Sequence, residues 1–351
     1  MSAAISRFAP RLLDWHDQFG RHQLPWQHPR SPYRVWLSEI MLQQTQVAVA
    51  TDYFLRFVAA LPDLPALARA PLDQVLALWS GLGYYARARN LHSAARLCMA
   101  KHSGVLPDRM DALLELPGIG RSTAGAILAL AHDVPAPILD GNAKRLLCRV
   151  FAIEGWPGTS AVEKQLWALS EKLLPRARLA TYTQALMDLG ATVCTRANPA
   201  CGRCPLQDSC RAHAQGRTTT LPTPRPGKPL PQREAHMLVI KDAKARVLLQ
   251  QRPPAGLWAS LWSLPELPDR AQALAWFQDR FDDDPAGAVH MAPFLHGFSH
   301  YRLSIHPILI TISGTRHRMT DRNDLRWMRR DDLPVLGLPA PVRKLLQEPS
   351  E

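Results

Sequence analysis

Residues 194–210 read CTRANPACGRCPLQDSC, which places Cys194, Cys201, Cys204 and Cys210 at the spacing C-x6-C-x2-C-x5-C. Four of the six cysteines fall in this window and none in the 141 residues after it. Such density reads as one metal or cluster site rather than a disulfide scaffold or four unrelated core thiols. A structural zinc also accepts four thiolates, but its usual pattern is two separated C-x2-C pairs. An iron–sulfur cluster fits better, although the common ferredoxin spacings differ from this one as well. Cys98 and Cys148 stand alone on helical patterns and read as ordinary core residues.

Upstream of the cysteines the chain is helical throughout. Tyr33, Trp36, Leu37, Ile40 and Met41 recur at the spacing of one helix face, and Ser31-Pro32 supplies a cap and a first turn. Further helices are expected around 47–60, 72–79, 86–102, 121–131, 143–152, 161–173 and 179–190. Leu116-Pro117-Gly118-Ile119-Gly120 lies between two of the helical patterns. Two glycines there let the backbone turn tightly and aim N–H groups at a phosphate, helped by the dipole of the following helix. A plain Gly-rich connection is the alternative for that motif taken alone.

Downstream, residues 212–233 (AHAQGRTTTLPTPRPGKPLPQR) are rich in Pro, Thr and basic side chains and read as an extended linker. Beyond it HMLVI, RVLLQQR and LSIHPILITI are short apolar or alternating runs, with a helical stretch near 269–281. This is an α+β pattern. The expected organisation is a helical domain over 1–211, including the cysteine loop 194–210, a linker over 212–233 and a second domain over 234–351.

The 351 residues suit two domains, and 46% hydrophobic with 21% charged residues excludes wholesale disorder. Lys and Arg number 42 against 30 Asp and Glu, and residues 212–233 carry four basic and no acidic side chains. Residues 1–233 therefore suit a polyanion, with a basic surface that merely aids solubility as the equal alternative, and the second domain is nearly balanced. No apolar run reaches membrane-spanning length and the opening residues lack a secretory core, so a cytoplasmic protein is expected.

Two carboxylates, Glu39 and Asp140, bear on chemistry, although spacing alone singles out neither. Glu39 lies at the edge of the Tyr33–Met41 stripe, where a solvated helical Glu is the bland alternative. Asp140 precedes a helical pattern in ILDGNAKRLL, where an N-cap is the bland role. Cleaving a bond at a sugar anomeric carbon calls for such a pair, one protonating the leaving group and the other facing the oxocarbenium.

The cysteine spacing, with QALMDLGATVC and NPACGRCPLQDSC, resembles the loop of the endonuclease III and MutY DNA glycosylases. WLSEIMLQQTQ and LDGNAKR resemble the two active-site segments of MutY-type adenine DNA glycosylases, and the likeness extends from about Phe8 to Leu346. The resemblance implies a helix-hairpin-helix glycosylase domain holding one [4Fe-4S] cluster on the four cysteines. Attached to it is a Nudix-like domain, whose likeness rests on GLWASLWSLPE and GFSHYRLSIHPI. It implies that Glu39 protonates adenine at N7, that Asp140 stabilises the cation, and that Asn142 is its polar partner.

Ser122 occupies the hairpin position where bifunctional relatives carry a nucleophilic Lys, which implies base removal without strand cleavage. Lys144 is a candidate for a side reaction only, and Arg196 for a phosphate contact. By the same matching Trp26, Gln27 and Gln184 form the adenine-pocket wall. Gln44, Thr45, Val47, Leu82 and Tyr84, with Gly118 and Gly120, hold the DNA, and Phe298, Ser299 and His300 read the opposite base. A glutamate-rich box for magnesium is missing after Glu266, so the second domain is expected to bind without hydrolysing nucleotides.

The implied partner is duplex DNA carrying adenine opposite 8-oxoguanine or guanine, engaged by a monomer. Two other readings compete with this one. One is an endonuclease III-like glycosylase-lyase for oxidised pyrimidines, opposed by Ser122 and the second domain. The other is a non-catalytic cluster-bearing DNA-damage sensor, opposed by the presence of Glu39 and Asp140.

Overall fold

A computed structural model describes residues 2–227, 229–281, 284–312 and 324–347. They form two compact units, one of Met1–Arg69 with Asn90–Gly227 and the other of Ala70–Arg89 with the chain beyond Gly227. The helices of the first part of the chain are α1 (Ser2–Phe19), α2 (Pro32–Leu42), α3 (Val47–Ala60), α4 (Leu64–Arg69), α5 (Leu72–Trp79) and α6 (Ala86–Lys101). There follow α7 (Met110–Leu114), α8 (Arg121–His132), α9 (Gly141–Phe151), α10 (Ser160–Lys172), α11 (Leu179–Thr192) and α12 (Arg211–Ala214).

In the first unit the expected stripe becomes α2. Ser31 caps it by accepting from Arg34 N–H at 3.3 Å, Pro32 sits in the first turn, and Tyr33, Trp36, Leu37, Ile40 and Met41 are all buried. Helix α8 buries every residue from Ala124 to Leu130, the signature of a helix enclosed by its neighbours. Two glycines allow that enclosure. A Cβ on Gly125 would lie 2.3 Å from the Pro137 carbonyl oxygen, and one on Gly190 of α11 would lie 2.6 Å from the Asn142 Cβ of α9. The strap leading to Asp140 thus runs directly against α8, and α11 presses on the first turn of α9. Gly190→Ala is expected to destabilise the protein by roughly 1–3 kcal/mol through overpacking, seen as a lower unfolding midpoint with Asn142 displaced.

The segment read as a linker is partly docked. Its first residues form the end of α12, Leu221 is buried, Gly155 N–H donates to Thr223 Oγ1 at 3.1 Å, and the Arg225 guanidinium sits 5.4 Å from the Trp156 ring centre. The expectation of an extended linker from residue 212 onward is therefore corrected. Side-chain partners on the helical unit were not visible in its Pro-Thr composition.

The second unit is built on a mixed sheet. Its strands are β1 (Gln232–Lys241), β2 (Val247–Gln251), β3 (Trp262–Ser263), β4 (Glu266–Leu267), β5 (Val289–His290), β6 (Phe294–Gly297), β7 (Arg302–Thr311) and β8 (Leu325–Met328). β1 pairs in parallel with β7 from Gln232↔Arg302 to Lys241↔Thr311, and the other pairings are antiparallel. One face packs Leu238, Ile240, Leu248, Ile308 and Ile310 under α13 (Arg270–Arg280) through Ala273 and Phe277. Near the C-terminus lies α14 (Ala340–Gln347).

Residues 70–89, which sequence order places among the helices of the first part, pack in this unit. Asp73 accepts from Trp262 Nε1 at 3.3 Å, Tyr85 Oη donates to the Leu338 carbonyl at 2.8 Å, and Arg89 donates to the Ala259 carbonyl at 2.8 Å. No helix among the described residues is long and apolar enough to cross a membrane.

Candidate active site and cysteine pocket

Asp140 is the N-cap of α9, its Oδ1 accepting from Ala143 N–H at 2.8 Å. The strap before it is fixed by two hydroxyls, Ser122 Oγ accepting from Leu139 N–H at 3.0 Å and Ser170 Oγ donating to the Ile138 carbonyl at 2.9 Å. Glu39 projects from α2, near enough for the Asp140 charge to act on it. No protein group among the described residues hydrogen-bonds its carboxyl.

Burial first, and the neighbouring Asp140 second, raise the Glu39 pKa to about 8. Burial also pushes Asp140 above the usual carboxylate range, against the pull of the Ala143 and Asn142 N–H groups and of Arg145. Two adjacent carboxyls do not both ionise cheaply, and N–H donation favours the charge on Asp140. The pair therefore holds its proton on Glu39, giving an acid beside a hydrogen-bonded carboxylate.

Asn142 Oδ1 accepts from the Arg145 guanidinium at 2.9 Å. Arg145 also donates to the carbonyls of Gly190 at 2.7 Å and Cys194 at 2.8 Å, so α9, α11 and the cysteine loop share one cation. One turn on, Arg149 is 2% exposed and donates to the carbonyls of Leu221, Thr195 and Arg196 and, at 3.4 Å, to Cys194 Sγ. Cys194, Cys201, Cys204 and Cys210 line one pocket walled by Leu146, Val150, Val193 and Pro199. Burial, followed by weaker repulsion from the other three cysteines, pushes the Cys204 thiol up to about 12.

A thiolate set in such surroundings needs a cationic centre, and a buried guanidinium on one sulfur suits a centre that stays net negative. The donor set therefore fits a thiolate-ligated inorganic group. No group of three or more His, Cys, Asp or Glu among the described residues is arranged to hold a single metal ion.

The hairpin residues behave as their composition predicts. Gly118 has φ +81°, where a Cβ would lie 2.9 Å from that of Asn90, and Gly120 opens α8 without a side-chain cap. Gln44 is exposed at φ +61°, followed by the turn through Thr45 into Val47, the first residue of α3. In the second unit Tyr84 is 48% exposed with φ +49°, and Arg87 lies 5.6 Å from its ring centre. A non-glycine residue in that region is uncommon and marks a constrained, often functional, turn.

Leu82 does not share this exposure. It is 7% exposed, its apolar side chain already packed in a core, so of the two residues read as wedges only Tyr84 lies at the surface. Phe298 stacks on Tyr301 at 4.6 Å and meets Trp258 at 5.8 Å, leaving Ser299 and His300 exposed above an aromatic bed.

Trp26, Gln27 and Gln184 are buried. Trp26 packs edge-to-face on Phe54 at 5.4 Å. Gln27 Nε2 donates to the Arg21 carbonyl at 2.9 Å, and its Oε1 accepts from Leu24 N–H at 3.0 Å. Gln184 Nε2 donates to Asp188 at 2.8 Å. Arg145, Arg149 and Asp188 escaped the sequence reading, although basic residues at i and i+4 within the buried pattern of α9 were a visible signal.

Residues 37–172 match the HhH-GPD superfamily of base excision DNA repair proteins, and residues 236–348 match the NUDIX domain. An adenine DNA glycosylase of Buchnera aphidicola subsp. Acyrthosiphon pisum is 37% identical over 340 residues, spanning 97% of each chain. The chain belongs to the adenine DNA glycosylase family. The adenine DNA glycosylases of Rattus norvegicus and Homo sapiens are 35% and 33% identical over 98% of this chain, which spans 78% and 74% of their lengths. Among solved structures, a thermostable thymine-DNA glycosylase aligns over 61% of this chain and 98% of its own, with a TM-score of 0.56 and 26% identity. Endonuclease III bound non-covalently to DNA shares the fold at a TM-score of 0.52, 22% identity and 60% of this chain against 97% of its own.

The glycosylase is thus an enzyme of base excision repair that acts on DNA, with a helical HhH-GPD part and a Nudix-like part built on a sheet.

Proposed function

We propose that the glycosylase hydrolyses the N-glycosidic bond of adenine paired with 8-oxoguanine or guanine and leaves an abasic site. One observation carries this reading: a half-buried carboxyl without a protein hydrogen-bond partner, its pKa raised to about 8, beside a hydrogen-bonded carboxylate. The adenine is extruded from the duplex. Glu39 gives its proton to N7, the base leaves as a neutral molecule, and Asp140 faces the positive charge that develops at C1′, by its field or by a transient ester. Water then completes the substitution at C1′.

Without an amine at position 122, strand cleavage through a Schiff base lacks its nucleophile. Ser122 instead positions the strap that carries Asp140, and Asn142 orients the first turn of α9 through Arg145. Lys144 is occupied by Glu163 at 2.7 Å, which argues against a lyase role.

The remaining assignments follow the resemblance. The four cysteines would hold one [4Fe-4S] cluster, which would tie the loop 194–210 together, and Arg196 in that loop meets a phosphate. The Gly118–Gly120 hairpin and the uncapped start of α8 receive a second phosphate. Gln44, Thr45, Val47 and Tyr84 engage the minor groove, while Phe298, Ser299 and His300 read the base opposite adenine. We assign excision to residues 1–211 and lesion reading to residues 234–351. The enzyme acts as a DNA-associated cytoplasmic monomer.

The test is a duplex carrying one adenine opposite 8-oxoguanine, scored with and without hot alkali. Strand breakage only after alkali is the expected result; breakage without alkali would overturn the monofunctional reading, and none at all would overturn the enzyme assignment of Glu39 and Asp140. Because Glu39 must carry its proton, kcat/KM is expected to hold level up to about pH 8. Above that point it should fall by about tenfold per pH unit. A rate that rises through pH 9 would remove Glu39 from the acid role.

A further inference from the structure

Asp188 of α11 is completely buried, and no step proposed above uses it. It accepts from Arg21 N–H at 2.7 Å, from Arg21 Nε at 2.9 Å and Nη2 at 2.6 Å, and from Gln184 Nε2 at 2.8 Å. His16 Nε2 lies 3.5 Å from Oδ2, the oxygen that accepts from Arg21 N–H. Burial alone would raise its pKa, but His16 and Arg21 outweigh that and hold it below the ordinary value, so it is a carboxylate at working pH. An ionised carboxylate accepts and never donates.

This settles the orientation of the Gln184 amide, which heavy-atom positions alone do not distinguish. The NH2 end must face Asp188, and Oε1 must face away. No protein group among the described residues donates to that oxygen. Gln27 belongs to the same network, since its Nε2 holds the carbonyl of the Arg21 whose own N–H and guanidinium grip Asp188. The two glutamines named for the adenine pocket are therefore joined through one carboxylate.

We infer that Asp188 is a specificity-determining positioning residue: by taking the NH2 of Gln184, it presents the Gln184 oxygen to accept from the exocyclic amino group of an extruded adenine and to repel a purine that carries oxygen at C6. This rests on adenine being the extruded base, as proposed above, and on the reading of Gln184 as part of the wall of its pocket. Hypoxanthine and guanine both place an acceptor where adenine places a donor. A fixed acceptor in the protein turns that difference into rejection, whereas an amide free to rotate would satisfy either base. A site built to receive an N–H discriminates far more sharply than one sorting by shape.

The experiment compares excision of adenine and of hypoxanthine, each opposite 8-oxoguanine, by the cluster-loaded full chain. The kcat/KM ratio of adenine to hypoxanthine is the readout. Asp188→Asn offers Gln184 a group that can donate as well as accept, so the amide can turn over. The ratio should fall by about tenfold or more, mostly through faster handling of hypoxanthine relative to adenine. Gln184→Leu should lower the ratio similarly, and adding Asp188→Asn to it should change the ratio no further.

If Gln184→Leu leaves the ratio intact, Gln184 does not face the base and the pocket reading fails. If Gln184→Leu lowers the ratio but Asp188→Asn does not, the pocket reading stands and the role of Asp188 fails. Should Asp188→Asn not fold, the wild type decides. With non-hydrolysable 2′-fluorinated nucleotides, a duplex carrying hypoxanthine should bind more weakly than one carrying unsubstituted purine, because an opposed acceptor is worse than a hydrogen atom. Equal or tighter binding of hypoxanthine overturns the inference.

Discussion

Glu39→Gln will lower single-turnover excision of adenine by a factor on the order of a hundred to ten thousand, the span associated with losing a positioned general acid. Binding of the mispaired duplex should survive, because Gln keeps the shape of the side chain and removes only the transferable proton. The same substitution should strengthen the fold. With the Glu39 pKa raised from 4.5 to about 8, the folded chain keeps its proton over a range where the unfolded chain has lost it. The favourable contribution is complete below pH 4.5 and disappears as pH rises through about 8. A neutral Gln escapes that loss. Its unfolding midpoint relative to wild type should therefore climb between those pH values and level off above. An inactive but alkali-stabilised variant identifies a strained acid, whereas inactivity with lost stability would mean that Glu39 is a structural residue.

Asp140→Asn is expected to reduce excision by roughly a hundred- to a thousandfold, comparable to removing a preorganised electrostatic stabiliser of the transition state. Asn is as good an N-cap as Asp, so α9 should keep its first turn and stability should change little. Asp140→Ala should lose both functions, with a further loss of about 1 kcal/mol of stability from the missing cap. Comparing the two variants separates charge from capping. Equal stability of Asn and Ala variants would deny the cap, and full activity of the Asn variant would deny the charge.

What could be read in advance follows physical range. The face of α2 and the strands β1 and β7 were legible because local periodicity and β-branched composition act within a few residues. The cysteine pocket was legible because its four cysteines are close in sequence. The roles given to Glu39 and Asp140 came from resemblance, because neither spacing nor burial could be read from WLSEIM or ILDGN alone. Arg149 illustrates what remained hidden: its partners at Thr195, Arg196 and Leu221 lie far along the chain, and nothing in CRVF announces them. Leu82 looked like an intercalating side chain in GLGYY, and only tertiary packing reveals that its surface is already spent. The burial of Gln27 and Gln184 has the same origin, an ion pair between Arg21 and Asp188 that links two distant stretches of chain.

The grouping of residues 70–89 with the sheet has a consequence for biosynthesis. Leu76 and Trp79 are fully buried, and Leu76 packs against Gly337, close to the end of the chain. During translation this short stretch leaves the ribosome long before any strand of its sheet exists. At the usual pace of synthesis, on the order of ten residues per second, it waits for tens of seconds with its apolar side chains unsheltered. The nascent glycosylase therefore carries an internal apolar segment between the two stretches of the first unit until the sheet is made. A chain shortened before the sheet would be left permanently in that condition, so a truncated helical half should aggregate unless Leu76 and Trp79 are replaced by polar residues.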